Sequence, residues 1–297
     1  MTKQKKEAKR PRDLVALVTG ASRGVGKGIA VGLGEAGTTV YVSGRTETEG
    51  EGIGPQGALP GTIHATAEAV SEAGGRGIAV RCDHTVDADV ENLFAHIHEE
   101  SGRLDILVNN AWGGYERMFE DGKYTNEVAF WFQPLWRWDA MFGPGVRGAF
   151  LASQLAVPLM LPTGRGLIVN ISFWSAQTYL TNTPYGVAKA AVDKMTADMA
   201  HELRTYKPEL DDAEITVISL YPGLVRTESV MAASDFFDLS NSESPQFLGR
   251  VVAGLASDED RFEKSGQTLV AAQLAREYGI QDVDGKSPPP LTLADFK

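Results

Sequence analysis

Cysteine is nearly absent from this chain of 297 residues. With Cys82 alone, no intrachain disulfide can form and a cysteine-based zinc site is excluded. Such usage fits a reducing compartment, and a cytoplasmic location is expected. A basic excess is missing as well: 28 Lys and Arg stand against 39 Asp and Glu, for a net charge of −11. The chain therefore lacks the cations that general phosphate neutralisation requires, and nucleic acid is not an expected partner. Long apolar runs are also lacking. None reaches the roughly 18 residues of a membrane span, so no span is expected. The histidines show no ligand spacing, because His96 and His98 face different ways on a predicted helix while His64, His84 and His201 are isolated. No metal is expected.

What remains is an ordinary globular composition, 43% apolar and 23% charged, without repeats or a shift that marks a boundary. Thr2–Arg12 carries Lys3, Lys5, Lys6, Lys9, Arg10 and Arg12 without an apolar run, and reads as a solvated basic tail, not a signal peptide. Residues 13–297 read as one domain. Short apolar, β-rich runs alternate with helical patterns along it: Leu14–Thr19, Thr39–Ser43, Gly77–Arg81, Leu104–Asn109, Gly166–Ser172, Ile215–Leu220 and Gly266–Ala271 as strands. Helices are expected over Gly24–Ala36, Thr62–Ala73, Asp87–Ser101, Val146–Met160 and Pro184–Tyr206. This alternation predicts an α/β fold, a Rossmann-type doubly wound parallel sheet of about seven strands with helices on both faces. An irregular inserted segment is expected over 112–138 and a C-terminal extension over 282–297, lying on the surface or on a partner subunit.

Two motifs carry chemistry. In Thr19-Gly20-Ala21-Ser22-Arg23-Gly24-Val25-Gly26, a strand turns into a helix through three glycines, which lets a pyrophosphate approach the backbone at the helix N-terminus. Binders of NAD place an acid about 20 residues further on, for the ribose hydroxyls. Here Val42-Ser43-Gly44-Arg45 offers a guanidinium instead, which suits a 2′-phosphate, and Arg23 adds a second cation. NADP(H) is the expected cofactor, with NAD(H) as the alternative. The second motif, Tyr185-Gly186-Val187-Ala188-Lys189, sets a phenol and an ammonium on one helical face. A free tyrosine has a pKa of about 10, and Lys189 is expected to lower it. Tyr185 then serves as acid/base while Ser172, at the end of a strand, binds the substrate oxygen.

Together with Asn109-Asn110-Ala111, Ser172 and Pro222-Gly223, these motifs make the chain resemble a short-chain dehydrogenase/reductase from about residue 13 to 275. A closer likeness, to one branch of that family, rests on Ala129-Phe130-Trp131, His201-Glu202-Leu203-Arg204 and Ile280-Gln281-Asp282-Val283-Asp284-Gly285. The resemblance implies NADPH-linked reduction of a carbonyl to an alcohol, or the reverse, by a homo-oligomer acting on a small molecule. It implies Ser172, Tyr185 and Lys189 as catalytic residues, with Lys189 also holding the nicotinamide ribose. Implied cofactor contacts are Gly20, Ser22, Arg23, Gly24, Val25, Gly26, Arg45, Asp83, His84, Asn110, Pro222, Gly223, Val225 and Thr227, with Asp83 touching adenine.

Three departures qualify the resemblance. Gly145 stands where the family has an asparagine that holds a relay water, so an interrupted helix is expected around Gly143-Pro144-Gly145, and Gly145→Asn is expected to be tolerated. Trp112 follows Ala111 where a glycine is usual. The serine has competitors: Ser172 lies 13 residues before Tyr185, as in the family, but strand alignment puts Phe173 in the second place of a double serine and leaves Ser175 as the other candidate. Trp112 and Trp174 are expected to line a substrate pocket, whereas Trp131, Trp136 and Trp138 are expected to pack the inserted segment. Phe236 and Phe237, within Thr227–Ser244, are expected to close over substrate. A binding protein without turnover is the reading from another class, and intact Ser172, Tyr185 and Lys189 weigh against it.

Overall fold

Seven parallel strands form the central sheet of the computed structural model, which describes residues 14–54, 57–120, 123–210 and 212–296. They are β1 (Val15–Val18), β2 (Thr39–Gly44), β3 (Arg76–Arg81), β4 (Ile106–Asn109), β5 (Arg165–Ile171), β6 (Glu214–Tyr221) and β7 (Thr268–Val270). Their spatial order is β7-β6-β5-β4-β1-β2-β3, so the order reverses between β1 and β4. In open α/β sheets ligands bind outside the carboxyl ends of the strands at such a reversal.

Alternation along the strands builds two cores. Ala16, Val18, Val40, Val42, Ile106, Val108, Leu167, Val169, Ile218 and Leu220 face one side. Val15, Leu17, Tyr41, Leu107, Ile168, Ile215 and Val217 face the other. Because side chains of a strand point alternately up and down, burial on both faces requires the nearly unbroken apolar runs seen in the sequence. Helices α1 (Gly24–Glu35) and α2 (Ile63–Glu72) cover the first face. On the second lie α3 (Asp87–Ser101) and, beyond α4 (Leu135–Phe142), α5 (Ala149–Met160) and the foot of α6 (Thr183–Thr205). After a short α7 (Glu228–Ala232), α8 (Pro245–Ser257) and α9 (Ala271–Tyr278) complete the first face.

The doubly wound sheet is as expected, and several details differ. The segment expected to stay irregular to Trp138 becomes helical at Leu135, and a π turn over Gly143–Gly148 joins α4 to α5. Arg137 organises this insertion. Its guanidinium is fully buried and donates to the carbonyls of Thr125 (2.7 Å) and Arg117 (3.3 Å) and to Thr125 Oγ1 (2.9 Å). Trp136 lies beneath the guanidinium groups of Arg117 and Arg137, but Trp131 is 68% exposed and Trp138 is also exposed, against the expectation that both pack the insertion. The helices α8 and α9 were not expected, although Ser244, which accepts from the Phe247 N–H, and Pro245 form a helix-start signal. The C-terminal extension returns to its own domain. Buried Asp282 accepts from the Ser244 N–H, and Phe296 packs against Phe173 and Trp174. The basic tail, residues 1–12, lies outside the described residues. Among the described residues no helix is long and apolar enough to cross a membrane.

Candidate active site

The turn after β1 is shaped to present main-chain N–H groups. Gly20 sits at φ +64°, a left-handed conformation that most side chains resist, with Ala111 Cα 2.7 Å from where a Cβ would stand. A Cβ at Gly26 would lie 2.5 Å from the Gly20 carbonyl oxygen, so the first turn of α1 packs directly on the loop. Asn110 fastens it, its amide donating to the carbonyls of Thr19 (2.9 Å) and Gly20 (3.0 Å). Arg23, the residue before α1, makes no side-chain cap, and the first turn of the helix has no acid. Its free N–H groups and the positive end of its dipole therefore favour an external anion. The Gly24 N–H shows that preference, donating to the Glu228 carboxylate at 2.9 Å. Ser22 is buried in the turn and Val25 packs onto the core.

Asn109, Asn170, Thr196 and Ser219 form a satisfied buried chain under the site. The Asn109 amide donates to Asn170 Oδ1 (2.8 Å), that of Asn170 to Thr196 Oγ1 (2.8 Å), and Ser219 Oγ to the same Thr196 oxygen (2.9 Å). It ties β4, β5, β6 and α6 together, and α6 carries Tyr185 and Lys189. Asn182 starts that helix, accepting from the Tyr185 N–H at 2.9 Å and donating to Asn126 of the insertion at 3.0 and 3.1 Å.

Tyr185 and Lys189 stand one turn apart at the mouth of the strand reversal. Lys189 is buried, and Nζ donates to the Ile171 carbonyl (3.0 Å) and lies 3.8 Å from the centre of the Trp112 ring. Burial pushes its ammonium down to about 7, with Asp193 acting the other way. Burial likewise raises the Tyr185 hydroxyl, opposed by the neighbouring hydroxyls of Tyr115 and Ser175. The expected lowering by Lys189 is thus corrected. The ammonium is turned toward Ile171 and Trp112 and sits 5.9 Å from the Tyr185 ring.

The two serines have different neighbours. Ser172 Oγ donates to the Lys189 carbonyl at 3.3 Å, beneath the site. Ser175 faces the Tyr185 hydroxyl, and its own Oγ is buried without a protein partner of good geometry. A substrate oxygen would satisfy it. Tyr115, which sequence reasoning missed, exposes part of its ring while its hydroxyl is buried against Tyr185 and Trp112. Only its place three residues after Trp112 could have pointed to it.

Trp112 meets Tyr185 edge-on, with ring centres 5.8 Å apart, and Trp174 is buried against Tyr221 and Phe296. Phe236 (86% exposed) and Phe237 (44%) lie out on the surface, so the expected aromatic lid is not closed over the site. Pro222 and Gly223 follow β6, and the Gly223 N–H donates to buried Glu243. Val225 pairs with Glu243 in a short two-stranded ladder, and Thr227 caps α7 through its hydroxyl.

Beyond the end of β2, Arg45 is 60% exposed and sits 3.8 Å from both Asp83 and Glu116. Arg23, expected to add a second cation for a phosphate, is instead half-buried and committed to the 46–61 loop. It donates to Pro60 O (3.0 Å), Gly61 O (3.0 Å) and Thr46 Oγ1 (3.2 Å). Asp83 accepts from the Thr85 N–H and hydroxyl. The His84 ring is turned inward to Ser43 Oγ at 2.9 Å, and burial brings it down to about 4. Among the described residues no cluster of His, Cys, Asp or Glu could hold a metal ion.

A glycine turn on α1 and a tyrosine-lysine pair on α6, meeting where the strand order reverses, define an oxidoreductase of the short-chain dehydrogenase type. The chain belongs to that family, whose model, described as short chain dehydrogenase, matches residues 14–236. It is 40% identical to Dehydrogenase/reductase SDR family member 1 of Mus musculus over 286 residues, covering 92% of this chain and 84% of that protein. The Homo sapiens protein of the same name is 38% identical over 286 residues, with the same coverage. A crystal structure of a short-chain type dehydrogenase/reductase from Mycobacterium marinum superposes with a TM-score of 0.68 at 26% identity, covering 87% of this chain and 93% of that one.

Proposed function

We propose that this oxidoreductase is an NADPH-dependent carbonyl reductase that uses Ser175, Tyr185 and Lys189. The observation that carries the reading is the Tyr185 hydroxyl beside the unsatisfied Ser175 hydroxyl, with Lys189 one helical turn away. A dinucleotide fits the residues present. The N–H groups at the start of α1 would hold the pyrophosphate in competition with Glu228, Lys189 would hold a ribose hydroxyl, and exposed Arg45 suits a 2′-phosphate. When bound, the nicotinamide supplies or takes up the hydride. Ser175 donates to the substrate oxygen and fixes the carbonyl, and Tyr185 gives that oxygen its proton as negative charge grows there. Burial pushes the Lys189 ammonium down to about 7, so it can both take up and release a proton near neutral pH and carry one onward from the site.

The absence of an acid at the end of β2 supports NADP(H), while Asp83 and Glu116 beside Arg45 favour NAD(H) as the second reading. The exposed apolar face of Trp138 and Phe150 supports a homo-oligomer, and the single buried cysteine supports a cytoplasmic location. The test is a panel of ketones, aldehydes and quinones with NADPH, read at the nicotinamide absorbance, for wild type and Tyr185→Phe. Wild-type turnover is expected, with a loss of at least a hundredfold in Tyr185→Phe at unchanged dinucleotide affinity. Binding of NADPH with no reduction across the panel would show a binding protein instead.

A further inference from the structure

The residues at 112 and 145 depart from the family pattern in opposite senses, one large for small and one small for large. Their positions explain each other. Gly145 is buried in the π turn, and a Cβ there would stand 2.5 Å from both Cε3 and Cζ3 of Trp112. No real Cβ makes such a contact, and the atoms met belong to a rigid ring held between the π turn and α6. Gly145 thus meets the Cε3–Cζ3 edge of the indole, and the ring's face lies against the Lys189 ammonium, 3.8 Å from its centre. The ammonium otherwise has the Ile171 carbonyl as its hydrogen-bond acceptor.

We infer that Trp112 and Gly145 act as one device: the indole occupies the volume beside residue 145 and clamps the Lys189 ammonium against the Ile171 carbonyl. Trp112 is therefore a positioning residue, acting through Lys189. An aromatic face attracts a cation through its negative π cloud, most strongly for indole, and the attraction grows when water is excluded. A buried ammonium that has the Ile171 carbonyl as its acceptor among the described residues is helped by such a partner, as by Asp193, to stay charged. Aliphatic filling of equal volume would hold the space and abandon the charge. The coupling also overturns the expectation that Gly145→Asn is tolerated, since its side chain enters the indole.

The test reads Lys189 directly in ligand-free protein, so it stands apart from the carbonyl-reductase reading. That reading bears only on the effect of the pair on turnover. Nζ is followed by NMR in lysine-labelled chains, assigned with Lys189→Met, across the pH range in which it titrates. Asp193 and Tyr185 on α6 act on the ammonium, with Tyr115 of the insertion against Tyr185 and Tyr221 of β6 bonded to Asp193, and all four are unchanged in every variant. Trp112→Leu should lower the Lys189 pKa by at least half a unit, while Trp112→Phe, which keeps a π face, should lower it less. Equal values in wild type and Trp112→Leu would overturn the clamp. A second reading is dinucleotide affinity. Gly145→Asn should weaken it at least tenfold, and Trp112→Gly in the same chain should recover at least threefold of that loss by removing the clash, without reaching wild type because the clamp is gone. A double variant no better than Gly145→Asn overturns the coupling, even if single variants at 112 fail to fold.

Discussion

The Glu228 carboxylate accepts the Gly24 N–H at 2.9 Å, placing an anion of the chain itself on the first residue of α1. A pyrophosphate bound at this turn competes for the same N–H and the same dipole. A carboxylate at a helix N-terminus is worth about 0.3–1 kcal/mol. Glu228→Gln should therefore tighten dinucleotide binding roughly two- to fivefold at low ionic strength, a factor of ten being about 1.4 kcal/mol. A fluorescence titration with NADPH measures it. Unchanged or weaker binding would mean that the pyrophosphate does not use the Gly24 N–H.

The serines separate by their neighbours. Ser175→Ala removes the buried hydroxyl that faces Tyr185, and loss of one such donor costs roughly 10²–10³ in kcat. Ser172→Ala removes a 3.3 Å bond to the Lys189 carbonyl, which should cost about 1 kcal/mol of stability and leave kcat within about tenfold. Steady-state kinetics and urea unfolding of both variants decide it. The opposite ranking in kcat would return the role to Ser172.

That pair shows where sequence reading stops. The seven strands were legible because a sheet buried on both faces needs apolar runs such as Leu107-Val108 and Ile168-Val169, and the turn after β1 because its glycines sit between strand and helix. Spacing along the chain fixed Tyr185 and Lys189, since a helix sets the distance between residues four apart. It favoured Ser172 over Ser175 by separation from Tyr185, and spacing does not register the 3₁₀ turn Trp174–Ala176 that carries the later serine. Nor could it show that Arg23 turns back into the 46–61 loop, or that Trp112 fills the space beside Gly145. Those outcomes depend on packing between segments far apart in sequence. The same holds for Phe236 and Phe237, whose aromatic character said nothing of the surface they occupy.

Arg45 is the exposed cation that a 2′-phosphate would meet, while Arg23 spends its donors on Pro60, Gly61 and Thr46. Arg45→Asp should weaken NADPH binding by a hydrogen bond to a charged group, roughly 1.5–3 kcal/mol, or about 10- to 150-fold. Affinity for NADH should hold or improve, because the new carboxylate can accept from ribose hydroxyls. Paired titrations with the two nucleotides measure the ratio. Equal affinity of the wild-type protein for both would remove Arg45 from nucleotide choice.

Glu243 supports the same mouth from below and carries a pH signature. It is buried, accepts the Gly223 N–H at 2.8 Å, and lies near Asp282 and Arg226. Burial pushes its carboxyl up to about 7, with Asp282 acting in the same direction and the Gly223 N–H and Arg226 opposing it. An unfolded glutamate titrates near about 4.3. Between those two values the folded chain holds the proton that the unfolded chain has released. The stability from this group is therefore full below about 4.3 and is lost as pH rises through about 7. Glu243→Gln keeps an acceptor for Gly223 and has no proton to lose. Its stability relative to wild type should rise by roughly 1–3 kcal/mol from pH 4.5 to pH 8, a tenfold difference in proton affinity being worth about 1.4 kcal/mol. Urea unfolding of both proteins at the two pH values isolates the contribution of Glu243, because His84 and the remaining groups titrate alike in each. A difference that stays flat across that range would show that Glu243 ionises in the folded chain as it does in water.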